Sequence, residues 1–159
     1  MQNTREPDPG RYEFENVLVR NLKKEDLDAI VRVEQKSTGQ KRTEYYRLKV
    51  NSALQESGIR ISLIAELDGF IVGFLMGQVF YGEFGQPEPV AIIDSLGVSP
   101  DYRGKKVAHA MMHQLKMNLR ALKIEKIQTQ VEWPQFELQQ FFAKEGFVPA
   151  PRLCLECKF

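Results

Sequence analysis

Leu96-Gly97-Val98-Ser99-Pro100-Asp101-Tyr102-Arg103-Gly104-Lys105-Lys106-Val107-Ala108 is the stretch on which the reading of this chain turns. It reads as the end of an apolar strand, a short turn holding Pro100, Asp101, Gly104 and two lysines, and the first turn of a long amphipathic helix. The first N–H groups of a helix have no partner within it, and the aligned peptide dipoles make that end positive. Set beside cationic side chains, such an end is an anion site, most naturally for a phosphate.

Working outward, Val107, Ala108, Met111, Met112, Leu115, Leu119 and Leu122 fall on one helical stripe, with Lys116 and Arg120 opposite. Upstream, Val90–Val98 is a strongly apolar strand interrupted by Asp94 and Ser95. Before it come strands over Ile59–Leu67 and Phe70–Phe80, joined by Asp68-Gly69 as a two-residue hairpin turn, and a loop over Tyr81–Pro89. The pattern predicts a first strand over Phe14–Arg20 and helices over Lys24–Ser37 and Thr43–Glu56. Downstream it predicts a strand over Ile127–Glu132, a short helix over Gln135–Glu145 and a final alternating strand over Leu153–Phe159.

A chain of 159 residues is one domain's worth. Residues 1–11, with Pro7, Asp8, Pro9 and Gly10, read as a flexible tail, and residues 12–159 as a single domain. A net charge of +1 supplies no field for collecting nucleic acid or an anionic membrane surface, so neither is expected as a partner. No apolar run approaches the ~20 residues of a membrane span, and the polar, Pro-rich start does not resemble a secretory signal. Two cysteines in such a chain are expected as free thiols in a reducing compartment, hence a cytoplasmic protein.

Arg103-Gly104-Lys105-Lys106-Val107-Ala108 resembles motif A of the GCN5-related N-acetyltransferases (the GNAT superfamily), Gln/Arg-x-x-Gly-x-Gly/Ala. One position departs, since Lys106 stands at the family's second glycine. The order strand, two helices, three strands, helix, strand, helix, strand matches the GNAT topology over essentially the whole chain. The resemblance implies a mixed α/β fold: a mostly antiparallel twisted sheet of six to seven strands flanked by about four helices. It also implies acetyl-CoA as co-substrate, its pyrophosphate held by the backbone N–H groups of Arg103, Gly104, Lys105, Lys106, Val107 and Ala108. Gly104 and Ala108 would let phosphate approach the backbone closely. Lys106, at a first-turn helix position, is expected to have ordinary helical φ/ψ. The pantetheine arm would pair with the strand backbone around Leu96, Gly97 and Val98.

Acetyl transfer to an amine needs the amine neutral and the departing thiolate neutralised. Many family members carry a tyrosine in the last short helix, within Asn-x-x-Ala-x-x-Leu-Tyr-x-x-x-Gly-Phe. Gln135-Phe136-Glu137-Leu138-Gln139-Gln140-Phe141-Phe142-Ala143-Lys144-Glu145-Gly146-Phe147 places Gln135 in the asparagine slot and Phe142 in the tyrosine slot beside the cofactor. Phenylalanine donates no proton, so the thiolate leaves through water or another hydroxyl, or turnover is slow or absent. Asp94, ionisable in an apolar strand and on one face with Leu96, is the candidate base; burial would suit it to that role. It could equally brace a neighbouring element. Glu83 and Glu88, in the loop that borders the acceptor in the family, are weaker candidates.

His109 and His113, with the Cys154-x-x-Cys157 pair, invite a metal reading. Both histidines lie off the apolar stripe, and residues three apart on a strand face opposite ways, so no metal site is expected. Tyr45 and Tyr46 with Arg42, Arg47 and Lys49 read as a partly exposed helix face, which in the family often lines the acceptor cleft. Asp26–Ile30 and Val33–Ser37 are also faintly similar to the first helix of ribosomal-protein N-terminal acetyltransferases. The resemblance therefore implies an acetyl-CoA-dependent transfer to a primary amine, either a protein α-amine or lysine, or a small amine. The alternative is a GNAT fold that binds acyl-CoA without turnover as a sensor or regulatory partner. Either would work as a monomer or a homodimer.

Overall fold

A computed structural model describes residues 16–159. The expected tail over residues 1–11, and Phe14 of the first expected strand, lie outside the described residues. Five strands form one sheet in chain order: β1 (Leu18–Asn21), β2 (Leu63–Leu67), β3 (Phe70–Phe80), β4 (Val90–Val98) and β5 (Ile127–Thr129). All neighbours are antiparallel except β4 and β5, which run parallel. Four α-helices accompany them: α1 (Leu27–Thr38), α2 (Thr43–Asn51), α3 (Val107–Ala121) and α4 (Phe136–Lys144). Asp68 and Gly69 turn β2 into β3 with φ of 53° and 80°, the doubly positive geometry that an Asp-Gly pair supplies.

The sheet is the middle layer of three. On one face, Leu63, Leu75 and Ile93 pack against Met111, Met112 and Leu115 of α3 and Phe142 of α4. On the other, Ile64, Phe74 and Met76 meet Ile30 and Val33 of α1 and Tyr46 and Val50 of α2. Alternate strand residues are apolar on both sides, which is why these strands read as near-continuous hydrophobic runs.

Several boundaries differ from the sequence expectation. The second helix ends its α geometry at Asn51 and runs through Glu56 as a π turn, while the strand expected from Ile59 starts only at Leu63. Leu153–Phe159, expected as a strand, has no sheet partner among the described residues and is exposed throughout. Its alternation is real, but alternation makes a strand only where another strand accepts its hydrogen bonds. The described sheet therefore has five strands, not six to seven.

Candidate active site

The centre of the site is a break in the sheet. β5 pairs with β4 only at Ala91, Ile92 and Ile93. Thr129 Oγ1 donates to the Ile93 carbonyl at 2.9 Å and closes this short ladder. The next residue, Asp94, has no partner on β3, because the register steps from Gly77–Ile93 to Met76–Ser95. It is a β-bulge, a device that re-aims the strand beyond it. Ser99 N–H then donates to Val72 C=O at 2.7 Å. Counting back by twos, Gly97 turns its N–H and C=O toward β3, whereas Leu96 and Val98 turn theirs to the side β5 has left. Ser37 Oγ, at the end of α1, donates to the Val98 carbonyl at 3.0 Å.

Of the three strand positions expected at a cofactor, Leu96 and Val98 thus turn backbone groups away from β3, the Val98 carbonyl accepting from Ser37. Gly97 does not; its role is steric. An added Cβ would lie 2.5 Å from Cε1 of Phe74, so the absence of a side chain lets that ring lie flat on the strand.

The strand leads into a 3₁₀ turn, Pro100–Tyr102, and then Arg103, Gly104 and Lys105, which are all exposed. Arg103 and Lys105 donate their N–H groups only across long turn bonds of 3.3 and 3.4 Å. The first bond inside α3 is Ala110 N–H to Lys106 C=O, 2.9 Å. The N–H groups of Val107, Ala108 and His109 precede it, and the side chain of Lys106, the residue that opens the helix, makes no capping hydrogen bond to them. Gly104 has φ of 75°. Lys106 corrects the expectation of ordinary helical dihedrals: it is left-handed, with φ 58° and ψ 27°. This is the conformation glycine adopts without strain, which gives a physical reason for a glycine at that slot. Lys36 Nζ, 2.7 Å from Asp101 Oδ2, ties the end of α1 to the same turn.

Asp94 is not buried, contrary to expectation; its side chain is 45% exposed and its Oδ2 lies 2.7 Å from Lys49 Nζ. The bulge turns it out of the core and toward α2. Together with Tyr45, Leu48, Ser52, Met76 and Gln78, these two residues line a cavity of about 390 Å³ between α2 and the sheet. Lys49 Nζ also sits 5.3 Å from the centroid of the Tyr45 ring. Tyr46 is buried instead, its ring 5.5 Å from that of Phe74, and burial raises its phenol above the ordinary tyrosine range. Arg42 pairs with buried Glu34 and lies over Tyr45, and Arg47 pairs with Glu44. Glu83 and Glu88 are exposed in the β3–β4 loop and do not line this cavity.

Phe142 is 5% exposed and belongs to the core, its ring between Phe141 and Phe147. It therefore serves as packing, not as a surface that faces a cofactor. Gln135 is structural too, since its Oε1 accepts from the Glu132 N–H at 3.0 Å. His109 Nδ1 pairs with Glu145, which also holds Lys116 Nζ at 2.8 Å and so joins α3 to the end of α4. Cys154 and Cys157 are exposed free thiols on the terminal segment. By sequence Lys49 belongs only to a helix face; its pairing with Asp94 joins residues far apart in the chain and leaves no local signal.

The acetyltransferase (GNAT) family pattern matches residues 25–147, and the chain belongs to that family. Among solved structures it is similar to the aminoglycoside N-acetyltransferase AAC(6')-Iy in complex with CoA, at 17% identity and a TM-score of 0.74 over 89% of this chain and 94% of that one. Ard1 from Thermoplasma volcanium is similar at 20% identity and a TM-score of 0.69, over 84% and 83% of the two chains. A ribosomal-protein-alanine N-acetyltransferase from Brucella melitensis biovar Abortus 2308 is similar at 18% identity and a TM-score of 0.70, over 90% and 99%. No curated protein sequence matches the chain. At these identities the likeness to solved structures is one of fold. Among the described residues, no helix is long and apolar enough to cross a membrane.

Proposed function

We propose that the chain is an acetyl-CoA-dependent N-acetyltransferase that moves an acetyl group directly to a primary amine. The observation that carries this reading is the continuity of two features. The outward backbone groups of Leu96 and Val98 run straight into the N-terminus of α3, beside Arg103 and Lys105. An extended amide-bearing arm fits the first and a pyrophosphate the second. The CoA complex of the similar AAC(6')-Iy supports the choice of thioester. That neighbour and the Brucella protein are both named as N-acetyltransferases, which supports an amine acceptor without selecting one.

In this reading Leu96 and Val98 align the arm along β4, and the N–H groups of Val107, Ala108 and His109 hold the phosphates. Asp94 takes the acceptor's proton at the mouth of the α2 cavity. Phe142 supplies no acid, so the thiolate is protonated by water; a thiol is acidic enough that this step needs no dedicated donor. A second reading, acyl-CoA binding without turnover, is favoured by that same absence of a hydroxyl.

Thermal unfolding with excess acetyl-CoA tests the site. Ligand at a hundred times its Kd adds about 2.7 kcal/mol and should raise the midpoint by roughly 5–10 °C. Arg103→Glu, a reversal of charge on an exposed residue, should remove that shift; a retained shift would place the phosphates elsewhere. CoA release with a panel of amines then separates transferase from sensor.

A further inference from the structure

The amine nearest to the candidate base belongs to the protein itself. Lys49 Nζ lies 2.7 Å from Asp94 Oδ2, in the cavity proposed for the acceptor, and its side chain is 19% exposed. Asp94 in turn is two residues from Leu96, about 6–7 Å along a strand, where the open edge of β4 begins. The Tyr45 ring, 5.3 Å away, holds the ammonium on its second side and limits where it can swing. Lys49 thus already occupies one oxygen of the carboxylate that an external amine would use.

We infer that Lys49 is an internal acceptor, so that the chain acetylates its own Lys49 in cis. The inference rests on the transferase reading above. Asp94 accepts a proton from the Lys49 ammonium, and the freed lone pair forms an N–C bond to the thioester carbonyl carbon. The C–S bond breaks and its electron pair leaves on sulfur as CoA thiolate; the attacking nitrogen gives its second proton to solvent, a solvent proton converts the thiolate to thiol, and Asp94 returns its proton to solvent. The products are Nε-acetyl-Lys49 and CoA, with no oxidant or further reactant. Acetylation removes the charge of Lys49 and with it the ion pair to Asp94. The carboxylate is then no longer paired with an ammonium of its own chain and is available to a second amine.

The test is peptide mass spectrometry on the full chain after incubation with acetyl-CoA, with acetyl-CoA binding followed in parallel by thermal unfolding. Spontaneous acetylation favours exposed amines, so Lys24 and Lys41, both exposed, are the internal reference. Lys49 should label ahead of both, at a rate independent of protein concentration. Asp94→Asn should slow the Lys49 label by roughly 100-fold, the scale of a lost general base, and leave the reference sites unchanged. Arg103→Glu should reduce the Lys49 label to the reference rate. Labelling of Lys49 no faster than Lys41, or indifference to Asp94→Asn, overturns the inference while acetyl-CoA binding and transfer to added amines still stand. A rate that rises with protein concentration overturns the reaction in cis. Absence of an acetyl-CoA-induced thermal shift in the unaltered chain overturns the transferase reading and this inference together.

Discussion

Lys106 carries the clearest conflict between a side chain and its backbone. Its φ of 58° costs a residue with a Cβ about 1–2 kcal/mol relative to glycine. The side chain makes contacts of its own, so Lys106→Gly alone would mix two effects. Lys106→Ala and Lys106→Gly both remove those contacts, and their difference isolates the backbone. The glycine variant should unfold higher than the alanine variant by roughly 2–8 °C, the shift that 1–2 kcal/mol gives a chain of this size. Equal midpoints would mean that the position is not held left-handed. Gly104, at φ 75°, shares the left-handed geometry, so Lys105 is flanked on both sides by left-handed residues and the loop lifts around the start of α3.

At the scale of elements, β4 does three jobs along nine residues, and each leaves a different trace in the sequence. Its apolar first half pairs with β5 and is legible as a strand. Its bulge at Asp94 is not, because an extra residue changes register without changing composition. Gly97 is legible as a glycine, but its reason is a ring on another strand. Gly97→Ala should cost about 1–3 kcal/mol in denaturant unfolding, since the new Cβ meets Phe74 and the ring must move. A neutral substitution would show that the ring relaxes freely. The motif turn and α3 are readable because strand, turn and helix follow one another locally. The burial of Phe142 and the partnership of Lys49 with Asp94 depend on where helices land, which local pattern does not encode. The unpaired Leu153–Phe159 illustrates the converse, a strong local pattern with no tertiary answer among the described residues.

For the molecule as a whole, the first turn before α1 is bolted to the sheet by one buried carboxylate. Asp26 accepts from Arg20 at 2.8 Å on each oxygen and from the Lys23 N–H at 2.7 Å, and Arg20 also reaches Glu66 at 2.7 Å. Burial alone would raise the Asp26 carboxyl, but the Arg20 guanidinium and the backbone donor outweigh it, and the net direction is down. The unfolded chain then binds more protons than the folded one in acid. This contribution to stability is present above the unfolded carboxyl value, about pH 4, and is lost as pH falls through the lower folded value. Replacing Arg20 by Met should lower stability near neutrality and flatten that part of the acid limb; an unchanged acid profile would remove Asp26 from the account. The break between β4 and β5 has a mechanical consequence. Among the described residues, three paired positions are the only sheet contact that β5 makes, so the sheet has a seam between β4 and its edge strand. Along it, β5 with its flanking loops can lift while β1 to β4 stay closed. Amide hydrogen exchange should therefore show Ile127–Thr129 opening sooner than the centre of β3, with acetyl-CoA slowing it by bridging the seam. In that picture the ligand acts as the missing rung between the last two strands of the sheet, and its departure loosens the molecule where it was bound.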